Sequence, residues 1–321
     1  MKERIAYLFP GQGAQYSGMA MDLLESNAVK SIFNTASEVF GMDVKELLQS
    51  DSETLKRTDF SQSAITTANL AAFSFLNEQG FSPVVCAGFS LGEYAALVCA
   101  GVLDITDCFR LVKKRGEAMQ MAIDKIREAA GSSSAPGMAA VIGLPPLQIE
   151  ELVNQWSAEG LKDLYTANIN SPRQTVVSGT AAALAEAESR FKEAGAKHVI
   201  PLQVSGPFHS PLMSDAVEVF LPALNEVVFR DPVIPVFSNV TGLKISSGEE
   251  AKKLAIRQIT SPVRWVEEEE NIFNYGIDVC FETGPGKVLQ GLWRDMKKNV
   301  TCVSAGTAED IMKLKSRNNQ E

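Results

Sequence analysis

The chain has 321 residues, a length that as a prior favours about two domains. Hydrophobic residues make up 45% of it and charged residues 21%, the ordinary balance of a soluble globular protein. The formal net charge of −9 argues against non-specific nucleic-acid binding, which needs a basic surface, so we expect no nucleic-acid partner.

The cysteines and the N-terminus indicate the compartment. Five cysteines occur, an odd number without a C-x-x-C pair, and Cys86, Cys99 and Cys280 lie inside apolar runs. We therefore expect free thiols in a reducing compartment. After Arg4 a run of only five apolar residues leads to Pro10, too short for a signal-peptide core, and no apolar run approaches a membrane span. The prediction is a cytoplasmic protein that has no membrane partner.

A short apolar run at residues 5–9 predicts a first buried strand, which ends in the Pro-Gly-Gln-Gly loop at residues 10–13. Position 16 is Tyr, so the loop lacks the third glycine of a dinucleotide-binding G-x-G-x-x-G motif. Gln12 stands between two glycines, which favours an amide aimed at a closely approaching group. The alternative is a turn with a solvated Gln side chain. Residues 61–75 carry small apolar residues at helical spacing and predict a helix packed on the sheet.

The motif G-x-S-x-G occurs at residues 88–92, with Ser90 at its centre. An apolar run of strand length, residues 83–87, precedes it, and residues 93–100 predict a buried helix that Gly101 ends. Strand, glycine turn and helix are the context of a nucleophile elbow, in which a strained turn holds the serine hydroxyl clear of the sheet. The alternative is a glycine-rich turn whose serine only caps the helix.

Residues 104–122 predict the next helix, with Asp104 as a possible N-cap. Arg115 lies in the centre of its apolar stripe. The other members of the stripe are Cys108, Leu111, Val112 and Met119. A buried arginine needs a partner because an unpaired buried charge is unfavourable, and a guanidinium in a dry site suits a carboxylate ligand. The alternatives are a structural ion pair with a protein carboxylate and an arginine whose head extends to solvent.

The Gly- and Ser-rich residues 131–137 are typical of a linker, and the pattern changes after them. The predicted order is strand, helix, strands, helix and strand, at residues 138–144, 148–156, 164–178, 181–194 and 198–204. This order predicts an inserted ferredoxin-like α+β subdomain. We assign residues 129–202 to it, and residues 1–128 and 203–321 to the large domain.

A serine nucleophile needs an adjacent base, and the chain has only two histidines. His198 lies in a predicted strand of the small subdomain, whereas His209 lies in a proline-bracketed loop near the domain junction. Catalytic residues concentrate on loops held by a rigid scaffold, so we predict His209 as the base of Ser90. The alternative is a loop histidine with a structural hydrogen bond. The sequence reveals no obvious Asp for the imidazole, and the Leu91 amide, next to the serine, is the expected oxyanion donor.

The C-terminal part of the chain completes the predicted sheet. Residues 233–240 and 277–281 predict strands, and the second is followed by a glycine loop and a helix, as in parallel sheets. The acidic run at residues 267–270 is most simply a solvated helix face. The polar tail from Ala308 is predicted to fray.

Seven short motifs occur in an order that is typical of one family. They are FPGQG at residues 9–13, GFSLGEY at 88–94, KRGE at 114–117, NINSP at 168–172, GPFH at 206–209, Gln258 with PVRW at 262–265, and GPGKVL at 284–289. Together they resemble the malonyl-CoA:acyl-carrier-protein transacylases and the related acyltransferase domains of polyketide synthases. The resemblance extends from residue 5 to about residue 305.

The resemblance implies an α/β fold: an α/β-hydrolase-like large domain with a parallel sheet, plus an inserted ferredoxin-like α+β subdomain. It implies that Ser90 is the nucleophile and His209 the base. It also implies an oxyanion hole formed by the Leu91 N–H and the Gln12 backbone.

The resemblance further implies that Arg115 holds the malonyl carboxylate and that Gln258 orients the imidazole through a carbonyl. The pair Phe208-His209 resembles malonyl-selecting members more than methylmalonyl-selecting ones. One departure is plain, because the family usually has His just before the nucleophile and this chain has Phe89. That change concerns how the acyl group is contacted beside the serine.

The implied activity moves a malonyl group from malonyl-CoA to the phosphopantetheine thiol of acyl carrier protein, through a malonyl-serine intermediate, for fatty acid or polyketide synthesis. The resemblance implies a monomer that needs no metal and no other cofactor. Basic candidates for contact with the carrier protein are Lys113, Lys114, Lys192 and Lys197.

Two other functions stay open from the residues alone. The first is a hydrolase that removes acyl groups from carrier proteins. Arg115 disfavours it for monocarboxylic acyl groups, which have no carboxylate to pair. The second is a non-catalytic docking module for carrier proteins, which would not need Ser90, His209 and Arg115 together.

Overall fold

Two separate four-stranded sheets organise the chain. The structure is a computed structural model that describes residues 3–130 and 136–318. Its strands are, in chain order, β1 (Ile5–Phe9), β2 (Pro83–Gly88), β3 (Gly137–Ile142), β4 (Leu164–Ser171), β5 (Gln174–Gly179), β6 (His198–Pro201), β7 (Val279–Glu282) and β8 (Thr301–Ser304).

Helices connect the strands of both sheets. The α-helices of the described residues are α1 (Asn27–Phe40), α2 (Val44–Leu48), α3 (Ser52–Lys56), α4 (Thr58–Glu78), α5 (Gly92–Cys99), α6 (Ile105–Ala130), α7 (Pro146–Ala158), α8 (Ala181–Glu193), α9 (Ser214–Asn225), α10 (Gly248–Arg257), α11 (Trp265–Asn274), α12 (Val288–Asp295) and α13 (Ala308–Asn318). Short 3₁₀ turns cover Met21–Leu23 and Pro211–Met213. The helix predicted at residues 104–122 is confirmed and runs further, and the Asp104 carboxylate accepts from the Asp107 N–H at 2.8 Å near its start.

The first sheet is parallel and has the order β2-β1-β7-β8. Its central strand β1 is a continuous apolar run and is wholly buried, as expected for a strand covered on both faces. In the register, Phe9 pairs with Gly88 and Leu8 pairs with Glu282. The loops that follow β1, β2 and β7 consequently meet at one edge, which is where ligands bind in open α/β sheets.

The second sheet is antiparallel and has the order β4-β5-β3-β6. Helices α7 and α8 pack on it through an apolar cluster in which the rings of Trp156 and Phe191 lie 4.7 Å apart. The chain order strand, helix, strand, strand, helix, strand with this spatial order is ferredoxin-like, and it confirms the predicted fold class. The boundary at residues 129–202 stays a prediction, and residues 131–135 of the predicted linker lie outside the described residues.

One segment of the large domain extends the small sheet. The Ile169 N–H donates to the Val263 carbonyl at 2.8 Å, and the Val263 N–H donates to the Ala167 carbonyl at 2.8 Å. This pairing holds the chain before α11 against the edge of β4. The small subdomain thereby fixes a loop that returns to the nucleophile.

The prediction of a strand at residues 233–240 is wrong. This segment forms only isolated bridges, one of them between Cys86 and Val236 beside β2. Pro235 has no N–H to donate to a ladder, and its fixed φ limits regular pairing. The segment lies along the edge of the sheet without becoming a strand.

The prediction of a solvated face at residues 267–270 is wrong for two of its members. Glu268 and Glu269 are buried, and they accept hydrogen bonds from Asn239 Nδ2 and Trp265 Nε1, both at 2.8 Å. Burial raises the pKa of both carboxyl groups well above the ordinary value. Both groups therefore favour the uncharged form, which a dry interior tolerates.

The polar C-terminal tail does not fray within the described residues but forms α13. Ile311 is buried in the main core, and the Ala308 N–H donates to Asp22 Oδ2 at 2.6 Å. The composition of α13 is polar. The helix is stabilised by the Asp22 carboxylate at its N-terminus and by the burial of Ile311.

We expect the substitution Gly92→Ala to destabilise the fold, because a Cβ there would lie 2.0 Å from the Phe9 carbonyl oxygen. The expected loss is roughly 3 kcal/mol or more of unfolding free energy, measured by urea denaturation. Gly291→Ala in α12 is the matched control. Its Cβ would meet nothing within 4 Å, so a helical alanine should stabilise by about 0.5–1 kcal/mol. Equal midpoints for Gly92→Ala and the wild type would contradict the packing argument.

Candidate active site

The turn after β2 has the geometry of a nucleophile elbow. Ser90 adopts a left-handed backbone conformation with φ +51°, which a non-glycine residue holds only under tertiary constraint. The two motif glycines permit this turn, because a Cβ on Gly88 would lie 2.0 Å from the Gly92 carbonyl carbon. Helix α5 begins directly behind the serine, so its N-terminus faces the site.

A buried asparagine holds this strained turn in place. Asn239 Oδ1 accepts from the Ser90 N–H at 2.7 Å, and Asn239 Nδ2 donates to the Gly88 carbonyl at 2.8 Å. Sequence reasoning missed Asn239, although it lies at the end of the segment wrongly predicted as a strand. Its contacts with the elbow span about half the chain, so no local pattern could have indicated them.

Ser90 and His209 meet, as predicted. The Ser90 Oγ lies 2.8 Å from His209 Nε2, and His209 Nδ1 lies 2.9 Å from the Gln258 backbone carbonyl. A carbonyl oxygen only accepts, so the Nδ1 atom carries the proton. Nε2 is then free to accept from the serine hydroxyl. His198, in contrast, is exposed on β6, away from the site.

The imidazole is held in its uncharged form. His209 is buried, and its own backbone is left-handed with φ +55°. Burial, followed by the positive charge of Arg115, lowers the pKa of His209 to about 4. Both effects disfavour the imidazolium, so the base form persists well below neutral pH.

Arg115 is buried in the stripe of α6, as predicted, with 1% of its surface exposed. Its Nη1 donates to Gln62 Oε1 at 2.8 Å and its Nη2 donates to Gln258 Oε1 at 3.1 Å, while the guanidinium carbon lies 5.5 Å from the centre of the Tyr94 ring. Its Nε has no hydrogen-bond partner. Among the described residues, no carboxylate forms an ion pair with it, which removes the structural-ion-pair alternative.

The three side chains share one cavity of about 250 Å³ between the two subdomains. Its large-domain lining includes Gln12, Phe89, Ser90, Leu91, Arg115 and His209, and its small-subdomain lining includes Met138, Asn168, Asn170, Gln174, Val176 and Leu202. Most of the exposed lining is apolar, which strengthens the attraction of Arg115 for an anion that enters it.

The loop after β1 packs directly on the elbow. A Cβ on Gly11 would lie 2.3 Å from the Phe89 carbonyl oxygen and 3.5 Å from the Leu91 backbone nitrogen. Only glycine permits this approach, which brings Gln12 to the cavity beside Leu91. The two predicted oxyanion donors are thus neighbours in space.

Phe89, which stands where the resembled family usually has His, lines the cavity beside the nucleophile. Its ring packs edge-on against Trp265, with centroids 5.3 Å apart. The ring therefore adds an apolar wall to the site and leaves the Ser90–His209 contact unaffected.

The described residues contain no group of three or more His, Cys, Asp or Glu side chains that could hold a metal ion. All five cysteines are free thiols. No helix in the described ranges has the length and apolar composition that crossing a membrane requires.

The fold and the site together define an acyltransferase. The acyl transferase domain family matches residues 6–315, which is almost the whole chain. The match spans both sheets and every residue of the site.

Individual relatives specify the kind of acyl transferase that this chain resembles. The chain is 37% identical over 310 residues to the malonyl CoA-acyl carrier protein transacylase of Bacillus subtilis, covering 96% of this chain and 95% of the relative. The structure of the corresponding Coxiella burnetii transacylase superposes with a TM-score of 0.90 at 35% identity and 98% coverage of both chains. A malonyl-transacylase solved in complex with a type II polyketide acyl-carrier protein gives 0.89 at 34% identity, covering 98% of this chain and all of that one. This chain belongs to the malonyl-CoA:acyl-carrier-protein transacylase family.

The lowered pKa of His209 predicts an unusual pH profile for Ser90. Labelling by phenylmethylsulfonyl fluoride, a serine reagent, requires the uncharged imidazole, so its rate should hold from about pH 8 to about pH 5 and fall towards the pKa of about 4. Arg115→Ala should move this acid limb to higher pH, because the cation that disfavours imidazolium is gone. Circular dichroism at each pH controls for unfolding. A midpoint near 6.5, the ordinary value, would show that the imidazole is not desolvated as described.

Proposed function

We propose that this chain transfers a malonyl group from malonyl-CoA to the phosphopantetheine thiol of acyl carrier protein, through an ester on Ser90. The observation that carries the proposal is one cavity that holds a Ser90–His209 pair and a buried Arg115, with which no carboxylate of the described residues forms an ion pair. The family relationship supports the same substrates, since its named members are malonyl transacylases.

In the first step, His209 Nε2 takes the proton of the Ser90 hydroxyl as Oγ attacks the thioester carbonyl of malonyl-CoA. The backbone amides of Leu91 and Gln12 stabilise the tetrahedral oxyanion. Collapse of this intermediate breaks the C–S bond. The departing thiolate takes the proton from the imidazolium, which leaves CoA thiol and malonyl-Ser90.

The second step reverses these roles with a different thiol. His209 takes the proton of the phosphopantetheine thiol, whose sulfur attacks the malonyl-serine ester. Ser90 leaves as the alkoxide and regains its proton from the imidazolium. The Gln258 carbonyl keeps the proton on Nδ1 throughout, so the ring never needs an Asp to orient it.

Arg115 binds the free carboxylate of the malonyl group. Within the described residues its guanidinium donates hydrogen bonds to the neutral amide oxygens of Gln62 and Gln258, and it lies over the Tyr94 ring. A substrate carboxylate supplies a charge-assisted pair in an apolar cavity, which acetyl-CoA cannot do. The residue therefore selects dicarboxylic acyl groups.

The proposal also covers the cofactors, the oligomeric state, the compartment and the domain boundaries. The chemistry exchanges one acyl bond for another, so it uses no metal and no redox cofactor. The chain acts as a monomer in this proposal. Free thiols support a reducing, cytoplasmic setting. Residues 1–128 and 203–321 would form the large domain and 129–202 the inserted one.

The nucleophile and base are tested by intact mass after mixing with malonyl-CoA. Ser90→Ala should show no malonyl adduct, and its turnover should fall by roughly 10⁴-fold or more. His209→Ala should lose nearly all activity, whereas the matched variant His198→Ala, at an exposed position, should lose little. A normal adduct on Ser90→Ala, or the reverse ranking of the two histidines, would overturn these assignments.

The acyl selection is tested by comparing acylation from malonyl-CoA and acetyl-CoA. Arg115→Ala should lower kcat/KM for malonyl-CoA by about 3 kcal/mol or more in transition-state terms. It should leave acetyl-CoA unchanged or improved. Arg115→Lys should recover only part of the loss, because an ammonium lacks the planar fork. Thermal melts exclude unfolded variants. A folded alanine variant that keeps its malonyl preference would show that Arg115 is only structural.

A further inference from the structure

The side-chain amide of Gln258 connects the parts of this site. Its Nε2 donates towards three oxygens: Glu93 Oε2 at 2.9 Å, the Ser90 carbonyl at 3.0 Å and Asn239 Oδ1 at 3.2 Å. Its Oε1 accepts from Arg115 Nη2 at 3.1 Å. The amide therefore has its acceptors on one side and the guanidinium on the other.

Glu93 is the ionisable member of these acceptors. It lies in the first turn of α5 and has 1% of its surface exposed. Its Oε2 accepts from both Gln258 Nε2 and the Asn239 backbone N–H, each at 2.9 Å. Asn239 is fixed in turn, because its Nδ2 donates to Gly88 and to Glu268 Oε1, each at 2.8 Å. Glu93 cannot turn away without breaking two buried hydrogen bonds.

We propose that Glu93 is a positioning residue for acyl selection: it holds the Gln258 amide so that the amide oxygen faces Arg115 and keeps the guanidinium at the cavity. This inference rests on the proposed malonyl transfer. The cavity lining, within the described residues, includes Arg115 but not Glu93. Glu93 therefore acts through Gln258 and does not touch the substrate.

The orientation of the Gln258 amide matters because the reversed orientation would be energetically unfavourable beside Arg115. If Gln258 turned over, its NH₂ group would face the Arg115 Nη2, so two donors would meet in a dry site and neither would be satisfied. Arg115 already leaves its Nε unpaired, so it has few alternatives. Glu93 and Arg115 also interact electrostatically. Burial raises the pKa of Glu93 to about 7, and its bonds from Asn239 and Gln258 and the Arg115 charge oppose that rise.

A double-mutant cycle between Glu93 and Arg115 tests the proposal. Two variants are used. Glu93→Met has a side chain of similar size but no hydrogen-bond acceptor oxygen. Glu93→Gln keeps one side-chain oxygen that can accept from both Asn239 and Gln258. Each is made with Arg115 intact and in the Arg115→Ala background. The measurement is kcat/KM for Ser90 acylation by malonyl-CoA, with phenylmethylsulfonyl fluoride labelling of Ser90 as the readout that needs no carboxylate.

With Arg115 intact, Glu93→Met should lower malonyl acylation about tenfold or more, and Glu93→Gln should retain most of it. In the Arg115→Ala background, Glu93→Met should change malonyl acylation less than about twofold. Labelling by the fluoride should stay within about threefold of the wild type. This pattern is non-additive because Glu93 has an effect only where Arg115 is present to be positioned.

Glu269→Met is the matched control, since Glu269 is a buried glutamate bonded to Trp265 and not to Gln258. It should leave malonyl acylation within about threefold of the wild type. If Glu93→Met does not fold, Glu93→Asp replaces it, because one methylene less withdraws the carboxylate from Gln258 and should show the same dependence on Arg115.

Equal losses from Glu93→Met in both Arg115 backgrounds would overturn the proposal, and so would equal losses of malonyl acylation and fluoride labelling. A Glu93→Gln variant as slow as Glu93→Met would overturn it as well. A wild type that the fluoride labels but malonyl-CoA does not acylate would instead refute the proposed function, and this inference with it.

Discussion

A guanidinium buried in an apolar cavity is the constraint on which this site depends. Water would solvate Arg115 well, and burial removes that solvation, so the protein must supply compensation. It supplies two amide oxygens, from Gln62 and Gln258, and an aromatic face, but no carboxylate within ion-pair distance among the described residues. The cation is retained at some cost to stability. In the proposed function, a substrate carboxylate recovers that cost on binding, which would link acyl selection to the burial of Arg115.

One residue, Gln258, contacts both Arg115 and His209, so the proposed function links acyl selection to catalysis through it. The Gln258 side chain holds Arg115, and its backbone carbonyl fixes the proton position on His209. The loop that carries Gln258 continues to Val263, which pairs with β4 of the small subdomain. A shift between the subdomains would therefore disturb His209 and Arg115 together.

Short sequence patterns correctly predicted the features that depend on neighbouring residues in the chain. The apolar run, two glycines and Ser90 predicted the elbow, and the stripe of α6 predicted that Arg115 is buried. Long-range packing determined the rest. Asn239 and Glu268 form part of the network beneath the elbow only because distant segments converge there, so an acidic run was misread as solvated. Pro235 likewise prevented an apolar segment from completing a strand, since it has no N–H to pair.

The proposed function requires a site that binds a carboxylate as well as a thioester. The most direct measurement mixes the unmodified enzyme with equal concentrations of malonyl-CoA and acetyl-CoA, stops the reaction within the first turnover, and reads the adduct on Ser90 by intact mass. We expect an almost purely malonyl adduct. A malonyl-to-acetyl adduct ratio near one, from equal concentrations, would contradict this expectation, because the buried cation would then contribute nothing to the choice.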